Sequence, residues 1–211
     1  KLRLESASIR VSTGPLDLRS RALKRVFDLA VTCSVCLFLA PLLAITAICI
    51  KLDSKGPVLF KQLRMGRGNR LFYVYKFRSM RDDLADATGS KSASRDDKRI
   101  TRVGRIIRAT SIDELPQLFN VLRGDMSLVG PRPHALGSKA GNDLFWKVDT
   151  RYWLRHSTKP GITGLAQIRG FRGATETHRD LTERLRYDLE YLRNWSIFRD
   201  ISILLATFGV V

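Results

Sequence analysis

The chain has 211 residues, 44% of them hydrophobic, and its 37 Lys and Arg against 20 Asp and Glu give a formal charge of +17. That length suits one domain, or one domain with a membrane element, and the apolar content excludes a disordered chain. The charge favours an anionic partner, whether nucleic acid, anionic lipid or a phosphate-bearing substrate, without choosing among them.

Residues 1–23 are polar, contain the breaker Gly14-Pro15, and read as a linker or arm. Residues 29–50 then carry no charge, a run of about 22 residues that is long enough to cross a bilayer. Residues 24–52 are therefore the expected membrane helix. Pro41 sits inside the run and removes one helical hydrogen bond. Both flanks are basic, with Arg19, Arg21, Lys24 and Arg25 before and Lys51, Lys55, Lys61 and Arg64 after. Basic flanks prefer the cytoplasmic side, so the residues allow either a re-entrant helix or a kinked span. The three cysteines, Cys33, Cys36 and Cys49, all lie in or beside this run and read as small apolar residues, not as a redox or metal motif.

Residues 53–211 are expected to form the second, membrane-associated domain. Aromatic and β-branched residues on either side of Gly66-Arg67-Gly68-Asn69 predict a β-hairpin, with the glycines in turn duty. Residues 82–98 predict a loop. Ile100, Val103 and Ile107 recur at helical spacing among Arg99, Arg102, Arg105 and Arg108. Arg105 and Arg108 share a face. Pro160-Gly161 predicts a turn, and Leu181, Leu185, Leu189 and Leu192 form one stripe of an amphipathic helix. The last apolar stretch, from residue 197, holds Arg199 and Asp200 and reads as interfacial or core-packed.

Two stretches carry chemistry. Around Asp113-Glu114, Ser111 and Glu114 have capping-box spacing, but a cap at Ser111 leaves Pro116 inside the helix. A cap at Asp113 puts Pro116 in the first turn. Either register places Asp113 where a helix dipole favours its ionised form. An ionised aspartate can attack an electrophilic phosphorus, and a divalent cation such as Mg2+ suits a site of carboxylate and phosphate oxygens. Downstream, Pro131 and Pro133 stiffen the backbone around Arg132, as bidentate phosphate binding requires. His134, His156 and His178 lack metal-ligand spacing and read as structural. No recognition helix or RNA platform is present, so nucleic acid is not the expected partner.

Several ordered motifs together resemble the bacterial sugar transferases known as monotopic phosphoglycosyl transferases. They are Lys24-Arg25-Val26-Phe27-Asp28, the Pro-broken apolar helix, Tyr75-Lys76-Phe77-Arg78-Ser79-Met80, Ser111 through Leu118, Gly124 through Pro133, and Pro160-Gly161-Ile162-Thr163-Gly164. The resemblance implies an α+β, mainly helical fold: a re-entrant membrane helix broken at Pro41, a small β-hairpin, and amphipathic interfacial helices around a compact cytoplasmic catalytic domain. It implies Asp113 as nucleophile, Glu114 as its dyad partner, Mg2+ bound at Asp113, and phosphate contacts from Arg78, Arg108 and Arg132. Members commonly carry Ser before the central proline; Ala40 stands there in this chain, which implies a less firmly fixed break. The expected reaction moves hexose 1-phosphate, glucose 1-phosphate foremost, from a UDP-sugar to undecaprenyl phosphate. It proceeds through a phosphosugar-aspartate, releases UMP, and initiates exopolysaccharide, capsule or glycan assembly at the inner membrane. Glucose rests on similarity in residues 170–196 to glucose-1-phosphate transferring members. Membrane lipids are expected partners, a homo-oligomer stays open, and a start at Lys1 suits the catalytic part of a longer member.

Overall fold

Asp17 accepts a hydrogen bond from the Ser20 backbone N–H at 2.9 Å and so caps helix α1 (Leu18–Asp53). A computed structural model describes residues 16–81, 97, 99–173, 175 and 177–209. Most of the expected arm and nearly all of the 82–98 loop lie outside these residues, but residues 18–23, expected in the arm, are helical.

Helix α1 runs through Pro41, and both of its halves are fastened to the rest of the protein. In the first half Lys24 pairs with Asp200, and Arg25 donates to the Val121 and Leu122 carbonyls. Asp28 accepts from the Ser127 hydroxyl and the Leu128 N–H. At the other end Ile50 packs with Phe77 and Ile107, and Asp53 accepts from the Val103 N–H. Between the two anchors Leu37 is 81% exposed, Phe38 is 83% exposed, and Pro41 is exposed too. Apolar side chains shown this openly mark a surface meant for an apolar surround.

The expected hairpin is present. Strand β1 (Leu59–Met65) pairs antiparallel with β2 (Leu71–Phe77), Leu59 opposite Phe77 and Met65 opposite Leu71. Gly68 and Asn69 take the left-handed conformation at its tip. Helix α2 (Arg102–Ala109) follows, capped by the Thr101 hydroxyl. Its Gly104 lies so close to Ser79 that a Cβ would stand 2.0 Å from the Ser79 carbonyl oxygen.

Helix α3 (Gln117–Arg123) uses neither of the two expected caps. Ser111 is left-handed, with φ of 57°, and makes no capping bond, while Ile112–Glu114 forms a separate 3-10 turn. Pro116 occupies the cap position, because a proline is tolerated there and not deeper in a helix. Inside α3 the buried Asn120 accepts from the Tyr75 N–H and donates to the Tyr73 carbonyl, which seals the edge of β2.

Strand β3 (Ser127–Val129) is followed by the short hairpin β4 (Lys139–Ala140) and β5 (Asp143–Leu144), helix α4 (Phe145–Val148) and a 3-10 segment, Thr150–Ser157. Strand β6 (Gly161–Thr163) then returns parallel to β3. Gly161, expected in a turn, opens this strand. A Cβ on it would meet the Gly130 nitrogen at 2.1 Å, so the two backbones cross where no side chain fits.

The last three helices are α5 (Leu165–Ile168), α6 (His178–Arg193) and α7 (Ile197–Thr207). A capping box of Thr177 and Asp180 starts α6, and its Leu181, Leu185, Leu189 and Leu192 are all buried, as the stripe predicted. Each is worth about 1.5–3 kcal/mol of transfer energy. With Val121, Met126, Val129 and Ile203, three of them form the main core; Leu181 packs instead with Phe145 and Tyr152. In α7 the interrupting Asp200 is fully buried and accepts from Lys24, Tyr191 and Trp195.

Replacing Gly161 with Ala should force the β3–β6 crossing apart and lower stability by about 1–3 kcal/mol. Chemical denaturation of detergent-solubilised protein reads this directly, and an unchanged midpoint would refute the close crossing.

Candidate active site

Three separate stretches converge on Glu114. Lys76 projects from β2, Asp113 and Glu114 from the 3-10 turn before α3, and Arg132 from the chain beyond β3. The Lys76 ammonium donates to Glu114 Oε1 at 2.8 Å. Arg132 forks across the same carboxylate, with bonds of 2.7 Å to Oε1 and 3.2 Å to Oε2. Burial pushes the Glu114 carboxyl up, but Arg132 and Lys76 outweigh it and hold the group well below the ordinary glutamate range. Arg132 is in turn pushed up by Glu114. Glu114 is thus a fixed anion with both oxygens bonded.

Asp113 meets different surroundings. Burial raises its pKa, and the neighbouring Glu114 adds to that, while Lys76, Arg108 and Arg132 pull it down. Its carboxylate accepts no hydrogen bond from the described residues. One carboxylate is clamped and the one beside it is left with oxygens to offer. The left-handed Ser111 ahead of the pair is held by Arg172, which donates to its hydroxyl at 2.6 Å.

Behind Arg132 lies a second layer of charge. Arg155, its side chain 1% exposed, pairs with Asp188, donates to the Arg132 carbonyl at 2.7 Å, and lies 2.9 Å from His134 Nδ1. Arg184 reaches the other ring nitrogen at 3.3 Å and donates to the Gly173 carbonyl. Burial, then Arg155 and Arg184, hold His134 well below the usual histidine range, so the ring is neutral. Burial also lowers Arg64 and Arg184 to about 10. In this region six cations (Lys76, Arg64, Arg108, Arg132, Arg155 and Arg184) face four carboxylates (Asp113, Glu114, Asp180 and Asp188). Partly buried excess positive charge of this kind favours an anionic ligand.

The structure therefore brings Asp113, Glu114 and Arg132 together, with Arg108 on α2 acting on Asp113 through its charge. Arg78 goes elsewhere. Its two terminal nitrogens donate to the Lys55 carbonyl at 2.6 Å and to the Ser54 carbonyl and hydroxyl at 2.7 and 3.0 Å. It caps the C-terminal end of α1, where a cation is favoured, and offers no open fork to a phosphate. The expected helix cap at Asp113 does not form, and burial raises its pKa.

Sequence reasoning missed Lys76, Arg64, Arg155 and Arg184. Lys76 had a signal, since it lies inside a quoted motif two residues from Arg78. Arg155 and Asp188 are 33 residues apart and give none. His134 has the structural place expected of it. Among the described residues no group of three or more His, Cys, Asp or Glu could hold a metal. A divalent cation here would draw on Asp113 and on phosphate oxygens, the arrangement Mg2+ favours. Asp113, whose carboxylate accepts no hydrogen bond from the described residues, is an oxygen ligand the dyad could offer such an ion.

A family model described as bacterial sugar transferase matches residues 19–211. The chain is 56% identical over 184 residues to the undecaprenyl-phosphate glucose phosphotransferase of Komagataeibacter xylinus, covering 87% of this chain and 35% of that protein. It is 51% identical over 185 residues to the exopolysaccharide production protein PSS of Rhizobium leguminosarum bv. phaseoli, covering 88% and 92%. Over 201 residues it is 49% identical to the UDP-glucose:undecaprenyl-phosphate glucose-1-phosphate transferase of Caulobacter vibrioides, covering 92% and 72%. The chain thus spans about a third of the first relative and most of the other two.

Because Arg108 favours ionised Asp113, Arg108→Gln should raise the Asp113 pKa further above the ordinary aspartate value of about 4. The carboxyl carbon shift of Asp113 in labelled protein, followed against pH, checks the sign. A midpoint that stays put or falls contradicts this account.

Proposed function

The chain belongs to the bacterial sugar transferase family, and from that premise we propose that it moves glucose 1-phosphate from UDP-glucose to undecaprenyl phosphate. The activities named for the Komagataeibacter and Caulobacter relatives support the reaction. The observation that carries the assignment of residues is the unequal treatment of the two adjacent carboxylates. Glu114 is locked by Lys76 and Arg132, while Asp113, within the field of the same cations, accepts no hydrogen bond from the described residues.

In the proposed first step an Asp113 oxygen forms a bond to the β-phosphorus of UDP-glucose. The bond from that phosphorus to the bridging oxygen breaks, and UMP leaves with the electron pair. This produces a phosphoglucosyl-aspartate. In the second step an oxygen of the lipid phosphate attacks the same phosphorus and the Asp113 carboxylate departs. Lys76 and Arg132, pre-oriented by Glu114, lie where charge grows on the phosphoryl oxygens and need little reorganisation. Arg108 adds a further positive charge. Asp113 together with diphosphate oxygens would hold Mg2+, which supplies charge neutralisation on the phosphates. The product begins exopolysaccharide or a related glycan.

We read α1 as a re-entrant membrane helix with Pro41 at its apex. Three features support this: anchors in both halves to one body, exposed Leu37 and Phe38 between them, and basic residues on both flanks. Ile106 on α2, Phe119 on α3, and Phe198 and Leu205 on α7 are exposed as well, as helices lying in the lipid interface require. The catalytic residues would then face the cytoplasm at the inner membrane.

Incubation with UDP-glucose alone should release UMP and leave a hexose-phosphate mass adduct on Asp113. Asp113→Asn should lower turnover by about a thousandfold or more. UMP release that strictly requires added lipid phosphate would falsify the covalent route. For the helix, single cysteines replacing Arg19 and Lys55 in a background lacking Cys33, Cys36 and Cys49 should both react with an impermeant maleimide from the cytoplasmic side. Labelling from opposite sides would establish an ordinary span instead.

A further inference from the structure

A second concentration of positive charge lies at the N-terminal end of α1, apart from the dyad. Here the start of α1, the tip of the β1–β2 hairpin, the first residue of β3 and the chain before β6 enclose a recess of about 110 Å3. Arg21, Arg25, Arg67 and Lys159 line it together with Ser127 and Thr158. It shares no residue with the cluster around Glu114, and it lies at the end of β3 opposite the chain that leads to Arg132.

Most of the charges at the recess already have partners. Lys24 is paired with Asp200, Arg25 is spent on the α3 carbonyls, and Arg21 donates to the Leu16 carbonyl. Asp28, the carboxylate of the lining, accepts from Ser127 and Leu128. Arg67 and Lys159 remain. Neither side chain makes a hydrogen bond to the described residues, although Lys159 is half-buried. Gly124 shows how tightly the cations crowd: a Cβ there would stand 3.3 Å from the Lys159 nitrogen and 3.6 Å from an Arg25 guanidinium nitrogen. Burial, then Arg25 and Arg67, push the Lys159 pKa down. Like charges gathered in a partly desolvated pocket repel one another until an anion joins them.

We propose that this recess is a second anion site, which binds a phosphate group between Lys159 and Arg67, with the engaged Arg25 adding only its charge. The uncharged run of α1 starts at residue 29, within two turns of Arg25, so the site lies at the level expected of lipid headgroups. Two sources supply the same chemistry: the phosphodiester of an anionic membrane lipid, and free inorganic phosphate. The lipid source rests on the membrane placement of α1 proposed above; the phosphate chemistry does not.

The test uses the chain in detergent, stripped of lipid, and the double variant Lys159→Gln with Arg67→Gln. Neither residue makes a side-chain hydrogen bond to the described residues, so the variant should fold, and Lys159→Arg serves as a charge-preserving control that should bind normally. One arm titrates inorganic phosphate. The other titrates vesicles of phosphatidylglycerol in phosphatidylcholine against phosphatidylcholine alone. Wild type should bind at least one of the two probes about tenfold more tightly than the double variant. Loss in the vesicle arm alone identifies a headgroup, and loss in the phosphate arm alone identifies a small anion. Equal binding by wild type and double variant in both arms overturns the proposal, as does failure of Lys159→Arg to bind. UMP release from UDP-glucose should stay within about twofold of wild type. A parallel collapse would assign the recess to the proposed active site and also overturn the inference. Because binding is read without turnover, it stands or falls apart from the proposed reaction.

Discussion

Glu114 holds two cations in place, Lys76 from the hairpin and Arg132 from the chain beyond β3, and thereby ties three distant stretches into one site. A carboxylate this enclosed is expensive to desolvate, and removing either partner would leave unbalanced charge. The arrangement is stable because the Arg132 fork and the Lys76 ammonium together satisfy both oxygens. The consequence reaches Asp113. With both Glu114 oxygens bonded, the field of Lys76 and Arg132 also reaches its neighbour Asp113, whose carboxylate accepts no hydrogen bond from the described residues. Adjacent carboxylates with environments that push their pKa values apart divide the work of a site. Here Glu114 sets geometry, and in the proposed reaction Asp113 does the chemistry.

The same logic of paired charge fastens α1. Both halves of α1 pack apolar side chains on the body, Phe27, Val31 and Val35 on the main core and Ile50 on Phe77 and Ile107, and polar contacts add to that fastening. Lys24 with Asp200 and Asp28 with Ser127 secure one half; Asp53 with Val103, and Arg78 over the last carbonyls, secure the other. Asp200 explains the odd carboxylate in an otherwise apolar C-terminal helix. It accepts from Lys24, Tyr191 and Trp195 at once and joins α1 to α6 and α7. Arg78 belongs to this system, its two terminal nitrogens engaged by the Lys55 and Ser54 carbonyls.

How much of this was legible follows from the range of each interaction. The hairpin, α2 and the leucine stripe of α6 rest on local periodicity and turn chemistry, and the sequence shows them directly. The dyad and Arg132 stood out because Pro116, Pro131 and Pro133 restrict the backbone beside them. The start of α3 was misjudged, since a left-handed Ser111 is a tertiary outcome, held by Arg172 from 61 residues away. The role of Arg78 was equally hidden: a guanidinium reads the same whether it caps a helix or binds a phosphate. Nothing local marks Arg155, whose partners Asp188, His134 and the Arg132 carbonyl come together only on folding.

The bulk charge of +17 takes on meaning once it is distributed. Part lies on the flanks of α1, where it agrees with an anionic leaflet. Part surrounds Asp113 and Glu114, where carboxylates offset some of it and leave an excess that suits the proposed diphosphate donor. Part lines the recess at the start of α1, where Lys159 and Arg67 make no side-chain hydrogen bonds to the described residues. These groups differ in the number of acids set among them, and that difference decides their use. Cations matched by carboxylates build structure; cations left in excess inside a partly desolvated pocket define where a phosphate goes.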